Sequence, residues 1–370
     1  MDKGLSQEAK NFIKQAYKGI DSKKLFDYHN HIVGIGTGNT GAYVNPSMLS
    51  GWHFISKMKF KVYASGANIT DLDYADQQYH DRLIDLINNI NPHGKYGILA
   101  FDKHYRKDGT VNANKTEFYT PNDYIINIAK ASPKLFEPIM SVHPYRKDAI
   151  EALRKYAAKG VKLIKWLPNA MGIDPADVAI KPYYEQVKKL GLSILVHVGE
   201  EKAVEAEEDQ KLGNPLRLRL PLNMGVKVIM AHCASLGQNI DIEDPKKPKV
   251  DNFDLFLRLM NDVKYTKNLM GEISAMPQAN RLPRPLATIL RTTRLHSRLV
   301  NGSDYPLPAL NVVVRTGALE SEGFINTDEK KLLDEIYDYN PLLFDFILKR
   351  VVKDPQTGAK FKSEVFYKKH

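Results

Sequence analysis

Residues 193–233, SILVHVGEEKAVEAEEDQKLGNPLRLRLPLNMGVKVIMAHC, decide the fold. A short apolar run ends in His197, a longer polar stretch follows, and a second short apolar run ends in His232. Short apolar runs bounded by turn residues suit buried parallel strands, and their alternation with amphipathic stretches is the signature of repeated βα units. The alternation extends in both directions. Upstream lie LFDYHNHIV (25–33), YGILAFD (96–102), FEPIMSVHP (136–144) and VKLIKWLP (161–168), and downstream NLMGEISA (268–275) and RLVNGSDYP (298–306). Eight runs are what a closed (β/α)8 barrel needs, so the predicted fold is α/β, a single barrel domain over residues 1–370.

Two additions to the barrel are expected. The first twenty residues place Phe12, Ile13, Ala16, Tyr17 and Ile20 at helical spacing, which reads as an N-terminal helix and not as the apolar core of a signal peptide. Residues 34–72 read as an insertion after the first strand. It opens with GIGTGNTGAYVNP (34–46), a glycine-rich loop that lacks the Lys-Ser/Thr ending of a phosphate loop and is expected to act as a lid. The rest, SMLSGWHFISKMKFKVYAS (47–65), reads as helix, with FKVYASGANI (60–69) as an alternative ninth strand. Leu72, Ala75, Tyr79, Leu83, Leu86, Ile87 and Ile90 then form one apolar helix face. DIEDPKKPKVDNFD (241–254) reads as a surface loop.

Composition narrows the function classes. Apolar and charged fractions of 43% and 26% are those of a folded globular chain. The formal charge of +10 allows an anionic small-molecule substrate, whereas the scattered basic residues, without interleaved aromatics, argue against nucleic acid. No segment reaches membrane-span length, and a cytoplasmic location is expected. Cys233 is the only cysteine, so any metal must be held by His and carboxylates. Next to His232 on a strand it faces the opposite side, which reads as a buried, inert thiol.

The chemistry gathers at strand ends. His29 and His31 are two apart on the first strand and share a face, so both imidazoles can reach one ion. His197, His232 and Asp304 end the fifth, sixth and eighth strands, and a parallel barrel brings all strand C-termini to one mouth. Any one of these histidines alone reads more readily as a satisfied core residue. Lys165 shares a face with Val161, Leu163 and Leu167 on the fourth strand. His143 and Arg146 in SVHPYR, Trp166, Glu200, Glu272 and Arg281 lie at or just past strand ends, and of these His143, Arg146 and Arg281 are the expected substrate-binding residues.

As a set, this pattern resembles the amidohydrolase superfamily, in the branch that holds aminocarboxymuconate semialdehyde decarboxylase and several lactonases. The resemblance spans residues 25–350 and includes YNPLLFDFIL (339–348), which is similar to that branch's C-terminal helix. It implies that His29, His31, His197 and Asp304 hold one divalent ion, zinc first with manganese or iron as alternatives, while His232 serves as an acid or electrophile. Three imidazoles and a carboxylate suit zinc, and such a site lowers the pKa of water to about 7. Asp304 would be the general base. In binuclear members a carboxylated lysine stands where Lys165 is, and two metals would follow if Lys165 is carboxylated.

Three functions follow from these expectations: a hydrolase in which activated water attacks a lactone, amide or ester carbonyl, a non-oxidative decarboxylase of a small acid, and a non-catalytic basic binding protein. A homo-oligomer is compatible with all three.

Overall fold

Strands β1 (Phe26–His31), β2 (Lys95–Leu99) and β3 (Phe136–Ile139) pair in parallel in chain order. So do β4 (Leu163–Trp166), β5 (Ser193–His197), β6 (Lys227–Ala231), β7 (Leu269–Glu272) and β8 (Leu299–Val300). Parallel bridges Met140 to Ile164 and Asn30 to Tyr305 join the two arcs at both seams. The result is a closed (β/α)8 barrel. The structure is a computed structural model, and it describes residues 4–46, 65–66, 68–202, 207–310 and 313–369.

Each strand shows two faces. Leu163, Leu195, Ile229 and Val300 meet Phe26, Tyr28, Leu99 and Ile139 inside the barrel. The alternate residues Ile164, Trp166, Ile194, Val196, Val228 and Met230 pack outward into the main core. Trp166 is one of these, wedged on Tyr183 and Tyr184 with its indole donating to Val142 O, and is structural.

The outer ring is α2 to α8, after the N-terminal α1 (Gln7–Ala16): α2 (Ala75–Asn88), α3 (Asn122–Ala131), α4 (Ala149–Ala158), α5 (Lys181–Lys189), α6 (Arg219–Asn223), α7 (Asn252–Asn261) and α8 (Arg284–Arg291). α9 (Thr327–Tyr339) and α10 (Pro341–Val351) complete it. While α10 is buried almost all round, most of the others bury one stripe. In α7 this is Phe253, Leu255, Phe256, Leu259 and Met260, each contributing about 1.5–3 kcal/mol on burial. Asn340 starts α10 by accepting from the amides of Leu342 and Leu343.

Three local expectations change. Leu72 lies ahead of α2 in a short turn and is half exposed, so the helix face begins at Ala75. The stretch 241–254 is not all loop: Lys249–Asp251 pairs antiparallel with Gln238–Ile240, and α7 starts at Asn252. The glycine-rich loop is tied down where it is described. Asp76 at the start of α2 accepts from the amides of Ile35 and Gly36 and from Thr40 Oγ1, and Tyr43–Val44 pairs with Phe118–Tyr119. The helix or strand expected over 47–65 falls largely outside the described residues. No helix among the described residues is long and apolar enough to cross a membrane.

Candidate metal centre at the barrel mouth

The centre begins with a bulge. Between Asp27 and Asn30 β1 advances three residues while β2 advances two, from Tyr96 to Ile98. The extra residue shifts the alternation, so Phe26 and Tyr28 fill the barrel floor and His29 and His31 still reach its mouth. Asp27, turned away, accepts from the amides of His29 and Ser303 and ties β1 to the loop after β8. That loop is held from the outside as well: buried Lys349 of α10 donates to Gly302 O at 2.6 Å and to Asp345 at 2.7 Å. Asp304 itself adopts a left-handed backbone, φ 62°, with its amide donating to His29 O at 2.7 Å. Such a conformation at a residue other than glycine is strained and persists where surrounding contacts enforce it.

Asp304 Oδ1 lies 3.3 Å from His29 Nε2 and 3.2 Å from His31 Nε2. Ligands at 2.0–2.1 Å from a tetrahedral ion are separated by about 3.3 Å, so this spacing fits a shared metal. His232 stacks on His29 with ring centroids 5.1 Å apart, and His197 lies edge-on to His232 at the same separation. His197 Nε2 is buried and makes no hydrogen bond among the described residues, although Glu201 Oε2 stands 3.4 Å away. An unsatisfied imidazole nitrogen beside two further imidazoles and a carboxylate is what a cation would resolve. His29 Nδ1 is held by Glu272 Oε2 at 3.2 Å, the carboxylate–histidine support typical of a ligating imidazole. The donor set fits a divalent ion.

Electrostatics agree with this reading. Burial drives the pKa of His31 down to about 4, and burial together with the charge of Lys165 takes that of His197 well below its ordinary value. Both are neutral and able to coordinate. Burial alone would raise the Asp304 carboxyl, but the imidazoles of His29, His232 and His31 outweigh it and keep the group ionised.

Lys165 reaches the same place, its Nζ 3.0 Å from His29 Nε2, and burial lowers its pKa to about 8. The lone pair it contacts is the one a metal would use. Above these groups a cavity of about 630 Å3 opens, lined by His29, His31, His197, His232, Asp304 and Lys165 at its base and by Glu200, Glu201 and Arg281 on its wall. Arg281 is buried, with burial lowering its pKa to about 10, and its hydrogen bonds go to neutral partners: Ser235 Oγ at 2.8 Å and the Gln278 amide oxygen at 3.3 Å.

The structure does not bring His143 and Arg146 into this cavity. His143 Nε2 donates to Met171 O at 2.8 Å and its Nδ1 accepts from the Tyr145 amide at 3.1 Å, so the fold uses both nitrogens. Arg146 is taken up by Asp102 and, through two parallel hydrogen bonds, by Asp148. Neither side chain lines the cavity, and the fold occupies the hydrogen-bonding groups of both. Cys233 is buried beside Gly271, and burial raises its thiol pKa, as an inert side chain requires. Ser274 and Glu201 were missed. Ser274 sits two residues beyond Glu272 in GEISA and Glu201 next to Glu200, but serine and a second glutamate in a loop carry no signal until the fold places them.

Fold and site define a (β/α)8 barrel with a candidate histidine–carboxylate metal centre at its mouth. The amidohydrolase family model matches residues 99–342, more than half of the chain, and the chain belongs to this family of metal-dependent hydrolases and decarboxylases. It is an enzyme of that class, and the non-catalytic expectation is set aside. Among solved structures it is similar to the TIM-barrel protein Bb4693 of Bordetella bronchiseptica, with a TM-score of 0.50 and 14% identity over 84% of this chain and 99% of that one. That likeness bears on the fold. It is also similar to 5-carboxyvanillate decarboxylase LigW of Sphingomonas paucimobilis, with a TM-score of 0.46 and 12% identity over 93% and 97% of the two chains. No curated protein matches the chain's sequence.

Proposed function

We propose that the chain is a hydrolase acting on a lactone, amide or ester of a small acid, with one zinc ion held by His29, His31, His197 and Asp304. The observation that carries this reading is the meeting of His29 Nε2 and His31 Nε2 on one oxygen of Asp304, at 3.3 and 3.2 Å, below the cavity. When bound, the ion supplies positive charge that lowers the pKa of water and polarises a carbonyl. Asp304 takes the proton of the attacking water and returns it to the leaving group. His232 lines the base of the cavity beside Asp304, its Nδ1 4.0 Å from Asp304 Oδ2. Arg281, a buried cation with neutral partners, grips a carboxylate of the substrate. In this reading residues 1–370 act as one domain, with 34–72 as an inserted segment, and Lys165 lies at the base of the cavity beside the metal ligands.

Two competing readings each have an observation in their favour. Lys165 Nζ beside His29 Nε2 suits a carboxylated lysine bridging two metals. The two buried cations at the cavity, Lys165 and Arg281, suit a decarboxylase that holds an acid. Metal content decides the first question. About one zinc per chain, lost in His29→Ala and kept in Lys165→Ala, is the expected result, and two metals with one lost alongside Lys165 would overturn it. Release of carbon dioxide from a turned-over acid would replace hydrolysis by decarboxylation.

A further inference from the structure

Glu272 at the end of β7 is fully buried and surrounded by donors. Its Oε1 accepts from the Ser274 amide at 2.6 Å. Its Oε2 accepts from Ser274 Oγ at 2.8 Å, from His29 Nδ1 at 3.2 Å and from the His232 amide at 3.3 Å. Each oxygen takes a main-chain N–H, which can only donate, and Oε2 takes two further polar groups, so the geometry leaves Glu272 as an acceptor throughout.

The proton count at Ser274 follows. Its hydroxyl carries one hydrogen and stands between Glu272 Oε2 and His232 Nδ1, the latter at 2.7 Å. Given to the carboxylate, that hydrogen leaves the hydroxyl oxygen as an acceptor, and His232 Nδ1 must supply the next hydrogen. The reverse order would set a hydroxyl lone pair against a carboxylate lone pair. In a neutral imidazole the hydrogen on Nδ1 is the ring's single N–H.

We infer that Glu272, acting through Ser274, fixes His232 in the Nδ1–H tautomer and leaves the lone pair of Nε2 for the cavity. His232 is then a proton acceptor or a metal ligand, not the acid or electrophile that the family resemblance implies. The same carboxylate fixes His29 in the same sense, so one buried group sets two imidazoles. The backbone joins in: His232, Cys233 and Ala234 are left-handed in succession, φ 57°, 49° and 50°, and the His232 amide at the start of this strained turn is the third donor to Glu272 Oε2. Glu272 and Ser274 are positioning residues. Only the use made of the Nε2 lone pair rests on the metal-centre reading; the tautomer does not.

The test is long-range proton–nitrogen correlation on the whole chain labelled with 15N-histidine, with and without zinc, the His232 signals being identified by their loss in His232→Gln. The expected wild-type pattern is a protonated Nδ1 and an unprotonated Nε2 in the zinc-free protein. Ser274→Ala should mix the two tautomers, Ser274→Thr should preserve the wild-type one, and Glu272→Gln should weaken zinc binding about 10- to 100-fold. A wild-type His232 protonated at Nε2, or a pattern unmoved by Ser274→Ala, would overturn the inference. The wild-type spectrum decides even if a variant fails to fold. A wild-type chain that binds no zinc but shows the Nδ1–H pattern would instead sink the metal-centre reading and leave this one standing.

Discussion

Two polar clusters sit at the mouth of this barrel, one against β3 and β4 and the other against β1 and β5 to β8, and they are built from the same parts. Each holds a buried strand-end histidine, a buried aspartate and an arginine. In the first, His143 spends both nitrogens on backbone groups, and Asp102 accepts from the amides of Lys103 and His143 and from Arg146. In the second, among the described residues, His197 Nε2 has no hydrogen bond, Arg281 bonds Ser235 and Gln278, both neutral, and Asp304 meets imidazoles. The difference teaches that burial and polarity do not mark a site. What marks it is bonding capacity that the fold leaves open toward a cavity.

The most direct way to break this comparison is to neutralise each aspartate in turn. Asp304→Asn should lower turnover by about 10²- to 10⁴-fold, the usual cost of losing a general base, and should reduce bound metal. Asp102→Asn should leave metal content and kcat unchanged but cost about 2–3 kcal/mol of stability, because charged hydrogen bonds to Arg146 and two amides are weakened. Steady-state kinetics and urea titration of both variants separate the cases. Loss of activity in Asp102→Asn without loss of stability would erase the distinction between the clusters.

Acid titration sharpens it next. Burial drives the His143 pKa to about 3 from an ordinary 6.5, so between those values the unfolded chain binds a proton that the folded chain refuses. The stability contributed by the neutral ring is complete above pH 6.5. It falls by about 1.4 kcal/mol per pH unit as the pH drops toward 3. His143→Gln keeps a donor for Met171 O but does not titrate. It should therefore be less stable than wild type at pH 7, with the gap narrowing as the pH falls to 4, because His31 and the other buried imidazoles titrate alike in both chains. A gap that stays constant in chemical denaturation across this range would show that His143 is protonated in the fold at no cost.

Much of this was legible in the sequence, and the limits have physical causes. Each of the eight strands lies on one of the apolar runs and stops short of its end, and His29, His31, His197, His232 and Asp304 converge because parallel strands share one open end. His143 in SVHP and His197 in LVHVG carry the same signal, however. What separates them is a carbonyl at Met171, 28 residues past His143, and no local pattern reports that. The bulge in β1 was hidden for a similar reason, since an extra residue in one strand is defined only against its neighbour. Glu272 stood out as a strand-end carboxylate, but its service to both His29 and His232 depends on strand pairing across the mouth. The glycine-rich loop looked like a lid because composition cannot foresee that Asp76 would staple it.

The two arginines give the smallest and most selective contrast. Arg146 binds Asp148 through Nε and Nη2 at 2.9 and 2.7 Å and Asp102 through Nη1 at 2.9 Å, a fork that lysine cannot reproduce from a single ammonium. Its side chain is partly exposed and one partner, Asp148, is solvated, so Arg146→Lys should cost only about 1 kcal/mol and leave kcat/KM unchanged. Arg281→Lys should do the opposite. The ammonium keeps the charge but loses the geometry set by Ser235 and Gln278, so stability should barely move while KM for a carboxylate-bearing substrate rises, with kcat affected less. If instead Arg281→Lys destabilises the protein and spares KM, Arg281 is a second Arg146, and the capacity left open at the mouth belongs to the metal ligands alone.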